Sequence, residues 1–116
     1  MAHSYTKILI HYVFSTKNRE KIMTAPLQER LWAYMGGIAK GNNMKALAIG
    51  GIEDHVHLLI SLPVSLSISK AIQLIKGGSS KWVHDTFPDY NKFRWQEGYG
   101  AFSVSVSQIK NTIAYI

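Results

Sequence analysis

The chain has 116 residues, a net charge of +6 and no cysteine, with 47% hydrophobic and 17% charged residues. That composition suits one globular domain over residues 1–116 and excludes disorder, a disulfide framework, a thiolate metal site and a cysteine nucleophile. No apolar run approaches the roughly 18 residues of a membrane span, and the first residues lack the apolar core of a signal peptide; a cytoplasmic protein with no membrane partner is expected.

The first strand is predicted over Lys7–Thr16, with Ile8, Ile10, Tyr12 and Phe14 on one face and Leu9, His11 and Val13 on the other. Lys17–Lys21 is a polar break. A helix follows from Thr24 as N-cap to Lys40, with Leu27, Leu31, Met35 and Ile38 at helical spacing and Gly41 as stop. Lys45–Gly50 and His55–Leu62 read as two further strands, the second ended by Pro63. Ser65 or Ser67 then caps a second helix to about Asp85, whose apolar side is Ile68, Ile72, Ile75, Ser79 and Trp82. Phe87–Asn91 reads as loop, and Phe102, Val104 and Val106 alternate like a strand. Ser107–Ile116 reads as a terminal helix, with Ser105 and Gln108 in capping-box form.

The order β-α-β-β-α-β is that of the split βαβ arrangement. It predicts an α+β, ferredoxin-like (RRM-like) antiparallel sheet with two helices on one face, plus a C-terminal helix. The second sheet face is left uncovered, for solvent, a nucleic acid or another subunit. The positive charge favours a polyanion, nucleic acid first. It is not a tail, because residues 1–58 and 59–116 hold seven and six basic residues.

His55-Val56-His57 is the most informative stretch. Residues two apart on a strand share a face. Val56, Leu58, Ile60 and Leu62 therefore take the core face, and the two histidines stand together on the open one. Two neutral imidazoles so placed can converge on one cation, completed by a third ligand or water. Glu53 and Asp54 could orient an imidazole or supply an oxygen. A pair of surface histidines is the plainer alternative. A three-histidine nucleotide-hydrolase pattern is excluded because position 59 is Leu.

On the terminal helix Val106, Ile109, Ile113 and Ile116 form an apolar stripe. Tyr115 falls on the polar side with Gln108, Asn111 and Thr112, and is expected to face outward. It could attack phosphorus as a nucleophile, helped by a metal or base, or be a tyrosine packed at an interface.

Together, the Asp54-His55-Val56-His57-Leu58-Leu59 strand and the late tyrosine resemble the HUH endonucleases. More closely, the chain resembles the single-tyrosine transposases of small bacterial and archaeal insertion sequences, including the REP-associated tyrosine transposases. Further matches are His11–Arg19, Gly51–Leu59, Ile75–Lys81, Trp95–Ser105 and Tyr115-Ile116.

The resemblance implies cleavage and rejoining of single-stranded DNA beside hairpins. Tyr115 would be the nucleophile, forming a 5′-phosphotyrosine. His55 and His57 would be ligands of Mg²⁺ or Mn²⁺, and no nucleotide cofactor would be needed. It further implies a homodimer whose tyrosine helix can complete the partner's histidine site. The family's third ligand is a Gln four residues beyond the tyrosine. The sequence stops at Ile116, so truncation within the terminal helix, or a water or another residue as ligand, is expected. Lys17, Arg19, Lys21, Lys76 and Lys81 are the candidate DNA contacts, with Gly77-Gly78 leaving backbone open to a phosphate. Trp82 is expected in the core, Trp95 and Tyr99 are open, and His11 and His84 are expected to have no role. A nucleic-acid-binding dimer without chemistry, or a decayed transposase remnant, is the alternative function.

Overall fold

In a computed structural model that describes residues 7–116, four strands form one sheet in the order β2-β3-β1-β4, all neighbours antiparallel. The strands are β1 (Ile8–Ser15), β2 (Lys45–Gly51), β3 (His55–Leu62) and β4 (Gly100–Ser103). Helices α1 (Ala25–Gly41) and α2 (Ile68–Thr86) cover one face, and α3 (Ile109–Tyr115) closes the chain. This is the ferredoxin-like α+β arrangement that the element order predicts, with β1 and β3 at its centre.

The alternation in the central strands decides the core. Ile10, Tyr12 and Phe14 of β1 and Val56, Leu58, Ile60 and Leu62 of β3 are buried against Leu27, Leu31 and Met35 of α1 and Ala71, Ile72 and Ile75 of α2. Tyr12 is fully buried and its hydroxyl donates to the Ile68 carbonyl at 2.8 Å. Burial, with Tyr99 adding, pushes its phenol up to about 12. A buried phenol needs such a partner to avoid the cost of an unmet polar group.

Ser67 is the N-cap of α2, its hydroxyl accepting from the Lys70 amide at 3.0 Å. Ile68 lies exposed on the first turn and Val83 takes the buried place at the far end, so the apolar side of α2 is rotated from the predicted one. Gly77 and Gly78 lie inside α2, where the helix itself takes up the amides. The close approach at Gly78 is to α1, since a Cβ there would sit 2.9 Å from Ile38 Cδ1. It is a helix-packing glycine and not an opening for phosphate.

The last strand is shorter than its alternation suggests. Val104 still donates its amide to the Leu9 carbonyl at 2.9 Å, but Val106 begins a short 3-10 turn, Val106–Gln108, that leads into α3. Pro88–Tyr90, expected as loop, forms another such turn.

The second sheet face is not wholly bare. Ile116, directly after α3, sits on Gly50 of β2, where a Cβ would come 2.7 Å from the Ile116 carbonyl oxygen. Leu9 and Leu59, on this face, are buried yet stand apart from the main core. The apolar stripe of α3 is only partly covered: Ile109 and Ile116 are half-buried, whereas Val106 is 57% and Ile113 41% exposed. No helix among the described residues is long and apolar enough to cross a membrane.

Candidate functional site

The site grows from the centre of the sheet. His57 pairs with Val13 across β1–β3, and His55 pairs with Ser15 at the strand's edge. Their rings stand 5.1 Å apart between centroids, edge to face. Residues two apart on one strand can come this close only when both side chains share a face.

Asp54 orients the first ring. His55 Nδ1 donates to Asp54 Oδ1 at 2.8 Å, and Arg19 Nε donates to Oδ2 of the same carboxylate at 3.3 Å. The hydrogen bond from His55, followed by the Arg19 guanidinium, holds the Asp54 carboxyl below the usual carboxylate range against the opposing effect of burial. An ionised carboxylate cannot donate, so the proton of His55 sits on Nδ1 and Nε2 carries the lone pair.

Arg19 reaches Asp54 because the chain folds back after β1. Asn18 and Arg19 both take left-handed backbone, with φ of 58° and 54°. Arg19 N donates to the Thr16 carbonyl, and the buried Thr16 hydroxyl donates to Glu20 O at 2.7 Å. Left-handed backbone at an arginine is uncommon; the Asp54 pairing and these bonds hold it.

His57 is oriented by a residue to which sequence reasoning gave no role. His57 Nδ1 and His11 Nε2 lie 2.9 Å apart. The sequence signal was there: alternation put His11 on the face of β1 opposite Tyr12. Only the β1–β3 register shows that this is the histidine face. Burial lowers the pKa of His57, with the His11 and His55 imidazoles adding to it, and burial alone lowers that of His11. Both rings are held neutral near pH 7, as metal ligation by imidazole requires.

Tyr115 is 72% exposed, as an outward residue should be, yet its ring lies 5.4 Å from that of His57 and 6.0 Å from that of His11. Its exposure is that of the outward position the helical spacing predicts, and the histidines lie beside it. The apolar stripe of α3 is split, with Ile109 and Ile116 half-buried and Val106 and Ile113 exposed, and the polar side of the helix opens on the histidines. Gln108, Asn111, Thr112 and Tyr115 line a cleft of about 470 Å³ with His11, His57 and Phe102. A second cleft of about 410 Å³ joins Arg19, His55, His57, Glu97, Tyr99 and Tyr115. Tyr99, left open by the sequence, and Glu97, which has no assigned role within the Trp95–Ser105 match, are brought in by a loop.

The remaining basic candidates separate. Lys17 lines a small pocket beside Lys92 and Arg94, and Lys21 follows on the same turn. Lys76 donates to the Gln96 and Gly98 carbonyls at 2.7 and 2.8 Å, pinning the loop that carries Glu97. Burial lowers its pKa, partly offset by Glu97. Lys81 pairs with Asp85 at 2.6 Å on α2, in the layer across the sheet from the histidines. Trp95 is a supporting residue: Nε1 donates to Ser79 Oγ at 3.1 Å and its ring meets Phe14 and Phe93. Trp82 is only partly buried and stacks on Tyr34.

The donor set suits a divalent cation. Both histidines commit Nδ1, which leaves each Nε2 without a hydrogen-bond partner among the described residues. Among those residues no group of three His, Asp or Glu side chains is placed to hold a metal. Water or another donor would have to complete the shell.

The family described as IS200-like transposases matches residues 4–116. The transposase for insertion sequence element IS200 from Salmonella typhimurium is 25% identical over 115 residues, covering 95% of this chain and 76% of the relative. The ISDra2 transposase TnpA of Deinococcus radiodurans is 24% identical over 85 residues, covering 73% of this chain and 61% of the relative. Among solved structures, a candidate transposase from Deinococcus radiodurans superposes with a TM-score of 0.80 at 23% identity, covering 99% of this chain and 95% of the other. A REP-associated tyrosine transposase bound to a REP hairpin superposes with a TM-score of 0.70 at 15% identity, covering 100% of this chain and 68% of the other. At these identities the two structures speak for the fold.

Proposed function

The chain belongs to the family of IS200-like transposases, and from that premise we propose that it cuts and rejoins single-stranded DNA at hairpin ends, as one domain over residues 1–116. Tyr115 is the nucleophile, and His55 and His57 hold one Mg²⁺ or Mn²⁺. The observation that carries the reading is the convergence of three side chains from β3 and α3 on adjoining clefts, with ring centroids 5.1 and 5.4 Å apart.

The bound cation would supply the positive charge that polarises the scissile phosphate. The chain supplies the rest. Asp54 fixes the ring of His55 through Nδ1. The Tyr115 oxygen attacks phosphorus, the bond to the 3′ oxygen breaks, and a 5′-phosphotyrosine forms. The phenol proton leaves to solvent and the departing 3′ oxygen takes one up, so the step is balanced. A 3′-hydroxyl of another strand can reverse it, because the phosphotyrosine keeps the phosphodiester energy. No nucleotide cofactor is called for.

Arg19, on the rim of the cleft, and Lys17 and Lys21 on the same turn are the phosphate contacts of this reading. Lys76, with two of its three donors on carbonyls, and Lys81, with one on Asp85, each keep a donor for a phosphate, Lys81 on the helix layer away from the clefts. The hairpin in the REP-associated relative's structure supports hairpin DNA as the substrate. Exposed Val106 and Ile113 at α3 and exposed Phe102 support a homodimer.

Incubation with single-stranded hairpin DNA and Mn²⁺ is expected to give a covalent protein–DNA adduct, visible in a denaturing gel. Tyr115→Phe should abolish it. An adduct that survives Tyr115→Phe assigns the nucleophile elsewhere. A second reading, a DNA-binding module without turnover, is favoured by the lack of a third protein ligand among the described residues. It predicts hairpin binding with no adduct, and affinity unchanged in His57→Ala.

A further inference from the structure

We propose that His11 is a positioning residue: it accepts the Nδ1 proton of His57 and so locks His57 with a bare Nε2 turned to the cleft shared with Tyr115.

The sheet register leaves His57 this partner. Its direct neighbour on β1 is Val13, which has no polar side-chain atom. His11, paired with Leu59, is the diagonal neighbour on the same face, close enough for two long side chains to meet. The rings stand 5.1 Å apart and tilted by 38°, with His57 Nδ1 and His11 Nε2 at 2.9 Å. One of these nitrogens carries the shared proton, and the choice fixes both tautomers.

If His11 donated, His57 Nδ1 would be the acceptor and the proton of a neutral His57 would sit on Nε2. That would close the nitrogen nearest a ligand and leave the site with one usable imidazole. If His57 donates, its Nε2 is bare and matches His55, whose Nδ1 proton is already fixed on Asp54. His11 then holds its own proton on Nδ1. The two histidines thus become alike through different partners, a carboxylate for His55 and a neutral imidazole for His57. A neutral acceptor orients the ring without adding a second negative charge to a face meant for a polyanion. Phe102 and Tyr115 flank the His11 ring, at centroid distances of 6.3 and 6.0 Å, and limit its rotation.

This inference deepens the metal-site reading, but its first test needs neither metal nor DNA. Imidazole ¹⁵N spectra of the metal-free full chain near pH 7.5 should show His57 protonated on Nδ1. In His11→Phe, which keeps a flat ring but removes the acceptor, that preference should be lost. In His11→Gln, whose side-chain oxygen can accept, it should return. Mn²⁺ affinity by titration calorimetry should fall about 10- to 100-fold in His11→Phe and recover at least in part in His11→Gln. A His57 protonated on Nε2 in the parent chain overturns the proposal, whatever the variants do. So does unchanged tautomer and Mn²⁺ affinity in a folded His11→Phe. If the tautomer pattern is as expected but no DNA adduct ever forms, the nuclease reading fails and the role of His11 in orienting His57 stands.

Discussion

The run Arg19–Asp54–His55 and the separate pair His57–His11 orient two adjacent imidazoles by different means. Their cost appears as pH dependence. Burial keeps His57 and His11 neutral in the folded chain below their ordinary pKa near 6.5. As pH falls below about 6.5 the unfolded chain therefore takes up protons that the folded chain refuses, and stability is lost. Asp54 acts in the same direction further down, because its folded pKa lies below its ordinary value of 3.8. The urea midpoint of the metal-free chain is expected to be level above about pH 7 and to fall between about pH 6.5 and 5, with a further drop below about pH 4. A midpoint that stays level down to pH 5 would show that neither histidine is held neutral by the fold.

Helix α2 serves packing on one side and a loop on the other. Gly77 faces open space, since a Cβ there meets nothing within 4 Å, whereas Gly78 lies against Ile38. Glycine inside a helix costs about 0.5–1 kcal/mol relative to alanine. Gly77→Ala should therefore raise unfolding free energy by about that amount. Gly78→Ala should gain less, because Ile38 must turn aside. Chemical denaturation of the two variants side by side reads the difference, and equal gains would mean that Ile38 yields freely. Helix α3 keeps the outward tyrosine that its periodicity predicts, but only part of its apolar stripe is covered. Ile109 and Ile116 of the stripe are half-buried and Ile116 rests on the sheet, while Val106 and Ile113 stay exposed and Tyr115 stands exposed beside the histidines.

At the scale of the molecule, the site depends on where α3 is seated. Ile116 rests on Gly50, which pairs with His57 in the sheet, so one contact couples the tyrosine helix to the histidine strand. Gly50→Ala would push a Cβ into the Ile116 backbone and lift the end of α3. On the nuclease reading, a displacement of about 1 Å can cost about 100-fold in rate. Gly50→Ala is expected to lower adduct formation by about that factor while hairpin affinity changes less than about twofold. An unchanged adduct yield would mean that Tyr115 reaches its working position without this seat. A tyrosine helix contributed by a partner subunit would give that result.

By itself the sequence determined the sheet, its two covering helices and the face that carries His55 and His57. Strand alternation and helical spacing are local, and Val56, Leu58 and Ile60 could be assigned to the core without knowing what they touch. It also held the residues of the resemblance, with Tyr115 last among them. Only the tertiary structure decided that His11 meets His57, that Arg19 turns back onto Asp54, that Lys76 holds the Gln96–Gly98 loop and that Tyr115 lies beside the histidines of its own chain. Each is a contact between segments far apart in sequence. Such contacts follow from strand register, from left-handed backbone at Asn18 and Arg19, and from a glycine small enough to let Ile116 settle on β2.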